Sequence, residues 1–175
     1  ERSRRFGGEI SRGELLGGAF IADGRDEVLT ATRENLRAGA SQIKVMAGGG
    51  AASAYDPLDV AQYTLDELRA AVEAADDWNT YVTVHAYTTK AVRRAVEAGV
   101  KCIDHGQLLD EETVKLLAEK GVWLSLQALD PAPPTAPAAT RAKKQMVVDG
   151  TDNAFKWALK YEVKLAWGTD FLFAP

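Results

Sequence analysis

The chain has 175 residues, 46% hydrophobic and 26% charged, which is typical of one soluble globular domain. The formal net charge of −4 provides no basic surface for nucleic acid or for an anionic membrane, and no apolar run approaches the length of a membrane span. A single cysteine, Cys102, excludes an intrachain disulfide and a cysteine-rich zinc site, and since no signal-peptide pattern is present we expect a cytoplasmic location.

The chain is predicted to be a single partial domain over 1–175 that opens with an irregular loop. Residues 1–24 are rich in Gly and Arg and lack periodicity. Thr64 and Glu67 form a capping box, which predicts the start of a helix. Residues 130–137 contain four prolines and predict a second irregular loop. In chain order, hydrophobic spacing predicts helices over 25–38, 64–76, 89–97, 110–120 and 141–161, and strands over 41–47, 81–86, 100–106, 122–129 and 163–170.

The order of these elements indicates the fold class. A first helix is followed by four strand–helix pairs and a last strand, and such alternation is typical of an α/β fold with a parallel sheet covered by helices. The alternation alone is compatible with a doubly wound layer or with part of a (β/α)₈ barrel.

Four polar residues fall where parallel α/β folds place their chemistry. His85, His105 and Asp170 each end a predicted strand, and Lys44 lies inside an apolar strand, where an ammonium group is costly to bury without a partner. The carboxyl ends of parallel strands form the edge at which ligands bind. Two imidazoles, a carboxylate and a lysine together favour a metal site there.

Each of these residues also has a simpler interpretation. A histidine at a strand end is often a hydrogen-bonded loop residue, and an aspartate after Gly-Thr is often a turn residue. Lys44 alone is compatible with a Schiff-base lysine or a phosphate-binding lysine. The glycine run 48–50 lacks the arrangement of a nucleotide-binding loop, and it more simply permits close backbone approach beside a site or a positive φ.

Four motifs taken in order resemble the metal-dependent amidohydrolase superfamily. The resemblance is nearest to the imidazolonepropionase-related amidohydrolases and the prolidase-like dipeptidases, and it extends from about Ile21 to Asp170. Any one motif alone is weak, whereas the ordered set is specific. The motifs are IKVMAGGG, VHAY, AVEAGVKCIDHGQLLDEETVKLLAEKGVWL and LAWGTD.

The resemblance implies a (β/α)₈ TIM barrel of which this chain holds strands four to eight. It implies that Lys44 is carboxylated by CO₂ to a carbamate that bridges two divalent metals. His85 and His105 would then bind the second metal, and Asp170 the first. Imidazole and carboxylate ligands suit Zn²⁺, although other divalent metals fit as well.

The resemblance also implies an activity, the hydrolysis of an amide or peptide C–N bond. A metal-activated hydroxide would attack the substrate, and Asp170 would carry its proton to the leaving amine. Tyr87 matches a tyrosine that reaches the substrate or the oxyanion, although packing at a strand end is an equal interpretation. Gly49 is expected beside the substrate, which the resemblance suggests is a dipeptide or an N-acyl amino acid.

One departure from the family pattern limits this expectation. The His-x-His pair of the first strand, which holds the first metal, has no counterpart, because the chain has only two histidines. We therefore expect an incomplete enzyme, inactive alone, that associates with the missing barrel portion or forms a homo-oligomer. A non-catalytic half-barrel scaffold and a Schiff-base lyase that uses Lys44 are the alternatives.

Overall fold

The computed structural model describes residues 12–53 and 56–170 as a parallel sheet covered by helices. The elements follow one another in the predicted order, with one short helix added near the start. They are α1 (Arg12–Leu15), α2 (Arg25–Arg37), β1 (Ile43–Met46), α3 (Leu65–Asp77), β2 (Val82–Thr88), α4 (Thr89–Ala98), β3 (Cys102–Leu108), α5 (Glu111–Lys120), β4 (Trp123–Leu126), α6 (Ala138–Lys160) and β5 (Leu165–Trp167).

The helix boundaries follow from local sequence signals. At the start of α3 the Thr64 side chain accepts from the Glu67 backbone N–H, and the Glu67 carboxylate accepts from the Thr64 backbone N–H, which is the predicted capping box. Helices α4 and α5 end at Gly99 and Gly121, whose φ angles of 101° and 63° favour glycine. The next strands, β3 and β4, begin a few residues after these glycines.

The sheet has the strand order β1-β2-β3-β4-β5, and every neighbouring pair is parallel. Each strand therefore pairs with the next strand along the chain through a covering helix. A doubly wound sheet reverses its strand order at one point, whereas a barrel does not. The sequential order confirms the predicted fold class, five consecutive strands of (β/α)-barrel type.

The two faces of the sheet differ because side chains alternate along each strand. One face packs against the helices and carries the apolar core, which includes Val45, Val84, Ile103 and Leu124. The opposite face, here named the open face, borders a cavity of about 340 Å³ whose lining combines polar and apolar surface. The lining residues are Gln42, Lys44, Tyr81, Thr83, Cys102, Asp104, Ser125 and Ala166.

The opening segment departs in part from the predicted irregular loop. Residues 12–15 form the single turn α1, Gly17 follows it with a φ of 70°, and residues 16–24 contain no helix or strand. Residues 1–11 of that predicted loop lie outside the described part of the chain. None of the helices within residues 12–53 and 56–170 combines the length and apolar character needed to cross a bilayer.

Candidate metal centre

His85 is the fourth of the seven residues of β2 and pairs with Met46, the last residue of β1; it is 7% exposed. Its Nε2 lies 3.0 Å from the Gly49 carbonyl oxygen. A carbonyl only accepts hydrogen bonds, so Nε2 carries the proton in this contact. Burial lowers the pKa of His85, with a further contribution from Lys44, and the ring is therefore neutral at neutral pH. A neutral ring protonated at Nε2 has its lone pair on Nδ1, which is available to a ligand.

His105 reaches the same place through a β-bulge. Strand alternation alone puts His105 on the helix-covered side, because it pairs with Ala86 and shares the parity of the core residue Ile103. The register between β2 and β3 shifts after Ala86, and His105 has a φ of 82°. A bulge of this kind re-aims a side chain. It turns the His105 ring to His85, with 4.4 Å between the ring centroids.

A glutamine fixes the orientation of the His105 ring. The Gln127 side-chain Nε2 lies 2.5 Å from His105 Nδ1, and both residues are buried. Whichever way the amide faces, this contact occupies Nδ1 and leaves Nε2 for another partner. Burial, reinforced by His85 and Lys44, lowers the pKa of His105 to about 2. Both imidazoles are therefore neutral at physiological pH, as metal ligands must be.

Tyr87 completes a cluster of three rings, which we name the strand-end cluster (His85, Tyr87 and His105). Its ring stacks on His105 with 4.7 Å between centroids, and it meets His85 edge-on at 5.2 Å. Burial and the charge of Asp170 raise the pKa of Tyr87 above its ordinary value. The phenol therefore keeps its proton and can act as a hydrogen-bond donor.

Lys44 lies on the open face, beside Thr83 in the strand register. Its ammonium group pairs with the Asp104 carboxylate, which also accepts from Thr83 Oγ1 at 2.8 Å. We name Lys44, Thr83 and Asp104 the mid-strand cluster. The Lys44 side chain is 45% exposed. The expectation of a lysine buried in an apolar strand is therefore wrong, because alternation turns Lys44 away from the helices and Asp104 provides a counter-charge.

Asp170 follows β5 and is exposed, with a φ of 52°. Its carboxylate favours the protonated forms of His85 and Tyr87, which places it within electrostatic range of the strand-end cluster. All four residues singled out in the sequence therefore lie toward the open face, but only the two histidines are in direct contact with each other.

Gly49 is held between the site and the segment that follows it. A Cβ atom at this position would lie 1.9 Å from the Pro57 carbonyl oxygen, so no side chain fits. Of the two interpretations of the glycine run, close backbone approach is the one observed, because none of Gly48, Gly49 and Gly50 has a positive φ. The Gly49 carbonyl is engaged by His85, and its expected role toward a substrate stays a prediction.

The side chains of the site supply part of the ligand set that a metal ion requires. Within residues 12–53 and 56–170, no three His, Cys, Asp or Glu side chains are grouped closely enough to hold a metal. The strand-end cluster provides two neutral imidazoles, each with one nitrogen fixed by a protein contact and the other left for a ligand, which is the usual support of a metal-binding histidine. A metal ion held by these two histidines would need a third ligand of another type.

Two residues of the site were missed in the sequence. Gln127 lies near the carboxyl end of the predicted strand 122–129, as His85 does in the predicted strand 81–86, so the same rule of polar residues near strand ends could have found it. Asp104 precedes His105 on β3, and nothing in the sequence indicates that its carboxylate meets Lys44, which is 60 residues away in the chain.

The sequence profile of the amidohydrolase family matches residues 8–172. Ochratoxinase from Aspergillus niger is 35% identical over 156 residues, which cover 86% of this chain and 32% of that protein. The chain thus spans about a third of the length of this curated relative.

Solved structures agree with this assignment. A prolidase complexed with N-methylphosphonate-L-proline superimposes with a TM-score of 0.85 at 35% identity, and the match covers 95% of this chain and 44% of the prolidase. The structure of A. niger ochratoxinase gives a TM-score of 0.81 at 32% identity, covering 92% and 42% respectively. A Xaa-Pro dipeptidase with bound methionine gives 0.72 at 31% identity, covering 85% and 39%. These matches confirm the predicted resemblance to amidohydrolases of the prolidase-like group. The chain belongs to the amidohydrolase family.

Proposed function

We propose that this chain carries the second-metal half of the active site of an amide-hydrolysing enzyme. The observation that supports this proposal most directly is the His85–His105 pair, in which two buried neutral imidazoles lie 4.4 Å apart at the carboxyl edge of a parallel sheet. Imidazoles packed in this way are expensive to bury unless their free nitrogens bind something. The amidohydrolase family generally uses divalent metals.

The proposed ligands are His85 through Nδ1, His105 through Nε2 and Lys44 as a carbamate. Carboxylation would convert the Lys44 cation to an anion, which would release it from Asp104 and leave it attracted to a cation beside the histidines. When bound, a pair of divalent metals would lower the pKa of a water molecule and polarise the substrate carbonyl. Zn²⁺ suits the imidazole ligands.

Asp170 and Tyr87 are proposed as the catalytic side chains. Asp170 is exposed at the mouth of the site, so its carboxylate is free to accept a proton and return it to the leaving amine. Tyr87 keeps its phenolic proton and is buried against both histidines, so it can donate a hydrogen bond to the oxyanion or to a substrate carboxylate. Gly49 would border the substrate through its backbone.

The proposed substrate is a dipeptide or an N-acyl amino acid. The similar solved structures include a prolidase with a bound proline phosphonate and a Xaa-Pro dipeptidase. Since the chain spans about a third of the curated relative, we also propose that catalysis requires a further barrel portion, supplied by a longer chain or by association, which would complete the first metal site.

Metal content tests the proposal. The wild-type chain, incubated with Zn²⁺ and passed over a desalting column, is expected to retain metal by elemental analysis, whereas a His85→Ala, His105→Ala double variant is not. Thr88→Ala is the matched control, because Thr88 Oγ1 is also buried near the end of β2 but makes no hydrogen bond among the described residues. Equal retention by the wild type and the double variant would sink the proposal.

The fate of Lys44 separates the proposal from the lyase alternative. With carbon-13 bicarbonate and Zn²⁺, a carbamate signal is expected in the wild type and not in Lys44→Arg. Trapping of a carbonyl substrate on Lys44 by borohydride would instead support a Schiff base.

A further inference from the structure

A lysine of α6 binds the segment that covers His85. The ammonium group of Lys143 donates to the carbonyl oxygens of Gly50 at 3.3 Å, Ser53 at 2.9 Å and Asp56 at 2.5 Å. An ammonium group has three N–H donors, so all of them are directed at this one segment. The three acceptors are 87 to 93 residues away in the chain. Lys143 thus joins α6 to the segment after β1 through hydrogen bonds between residues that are distant in the sequence.

The tied segment includes the hydrogen-bond partner of His85. Gly49, whose carbonyl oxygen lies 3.0 Å from His85 Nε2, directly precedes Gly50. A second contact holds the same turn, because the Asp56 carboxylate accepts from the Gly50 N–H at 2.8 Å. The position of the Gly49 carbonyl is therefore set from one side by Asp56 and from the other by Lys143.

The packing of α6 explains how Lys143 reaches this segment. Lys143, Val147 and Gly150 are spaced by four and three residues and share one face of the helix. A Cβ at Gly150 would lie 2.2 Å from the Gln107 carbonyl oxygen, so only glycine lets α6 approach the end of β3 this closely. Val147 is fully buried in a small cluster with Ala51, Leu58 and Tyr87. This face of α6 therefore packs beside the strand-end cluster.

We propose that Lys143 is a positioning residue for His85: by holding Gly50, Ser53 and Asp56 it fixes the Gly49 carbonyl, which holds the proton on Nε2 and leaves Nδ1 facing the site. Lys143 itself touches neither His85 nor His105 in any described hydrogen bond. Its effect on the metal centre passes through the backbone of Gly49. The inference rests on the proposed function only for the identity of the ligand nitrogen.

The test uses the metal-free 175-residue chain labelled with nitrogen-15 histidine, which gives signals from two residues only. Nitrogen shifts separate protonated from unprotonated ring nitrogens. The wild type is expected to show His85 as a single tautomer protonated at Nε2. In Lys143→Met the two nitrogen signals of His85 are expected to move toward their mean, as the ring samples both tautomers. His105, held by Gln127, is the internal control, and its signals are expected to stay in place.

Two further variants keep the result decisive. Lys144→Met removes the neighbouring lysine, for which no hydrogen bond is found among the described residues, and should leave both histidines unchanged. Asp56→Ala loosens the same turn from the other side and should shift His85 as Lys143→Met does; it decides the question if Lys143→Met loses its circular dichroism signal. His85 signals identical to the wild type in a folded Lys143→Met or Asp56→Ala chain overturn the proposal. Because no metal is present, the outcome is independent of the activity.

Discussion

The strand-end and mid-strand clusters lie on the same face of the same sheet but stabilise opposite kinds of group. The strand-end cluster holds His85 and His105 buried and neutral. The mid-strand cluster, by contrast, holds Lys44 and Asp104 as an ion pair, with side chains 45% and 22% exposed. The two levels are only one or two residues apart along each strand.

The difference arises from what covers each cluster. The segment after β1 lies over His85, and the bulge in β3 packs His105 against Tyr87 and Gln127, so the strand ends are withdrawn from water. Among the described residues no comparable loop covers Lys44, which borders the cavity of the open face. Water and a counter-ion stabilise charge there, whereas burial suppresses it at the strand ends. In the proposed metal site, the same face would therefore offer neutral imidazole ligands in the strand-end cluster, whereas Lys44 in the mid-strand cluster would first have to change its charge.

The largest expected effect comes from displacing the cover of the strand-end cluster. In Gly49→Ala the new Cβ would meet the Pro57 carbonyl oxygen at 1.9 Å, so the backbone must move. We expect a loss of about 3 kcal/mol in the free energy of unfolding, measured by urea denaturation. Gly18→Ala is the control, since its Cβ would meet nothing closer than 3.6 Å. Equal losses of unfolding free energy in the two variants would contradict the expectation that the Pro57 carbonyl excludes a side chain at position 49.

The neutral histidines should make the metal-free chain sensitive to acid. The pKa of His105 is about 2 in the folded chain and 6.5 ordinarily, so between these values the unfolded state binds more protons and stability falls as the pH falls. The free energy of unfolding should decrease below about pH 6.5 by up to about 1.4 kcal/mol per pH unit for this residue. His105→Gln should remove that share of the slope in urea denaturation series from pH 7 to 5. Parallel plots of unfolding free energy against pH for the wild type and His105→Gln would contradict this expectation.

Removing the partner of His105 should weaken metal binding without removing a ligand. In Gln127→Leu the Nδ1 atom of His105 loses its contact, and the ring is no longer held in one orientation. We expect the affinity for Zn²⁺, measured by calorimetry, to fall roughly 10- to 100-fold. Ser125→Ala, two residues earlier in β4 and at the open-face cavity, should change it little. A similar loss of Zn²⁺ affinity in both variants would contradict a specific role for Gln127.

The smallest effect is expected in the mid-strand cluster. Asp104→Asn breaks the ion pair with Lys44, but solvent reaches both side chains. Partly exposed pairs contribute little, so the free energy of unfolding should change by less than about 1 kcal/mol in urea denaturation. Thr83→Val, which removes a second donor to Asp104, should have an effect of similar size. A larger loss in Asp104→Asn would mean that this level is as closely packed as the strand ends.

The sequence predicted the helices and strands better than the tertiary contacts around them. Local signals such as the Thr64–Glu67 capping box and Gly121 act within a few residues, so the helices begin and end close to where they were predicted. Strands β2 and β3 extend two residues beyond the predicted ends, because their last residues pair across the bulge. The sequence also predicted that each histidine ends its strand, whereas β2 and β3 continue three residues past His85 and His105.

What the sequence could not predict depends on tertiary contacts. Alternation shows that Lys44 and Val45 face opposite ways, but not which face the helices cover. Alternation would also have placed His105 on the wrong side, since the bulge that turns it depends on its pairing with β2. The meeting of Lys44 with Asp104 and that of Lys143 with Gly50 join distant parts of the chain, and no local pattern indicates either.

The left-handed backbone at His105 restricts how this site can change. Few residue types accept a φ of 82°; apart from glycine, asparagine and aspartate do so most readily, and β-branched residues do not. Asparagine and aspartate, the two tolerated side chains that can bind a metal, do so through oxygen atoms. If His105 binds a metal as proposed, a substitution that keeps the bulge would exchange an imidazole for an oxygen ligand and shift the preference toward harder cations such as Mn²⁺. The backbone conformation at this position would then restrict which metals a variant of this sequence could bind.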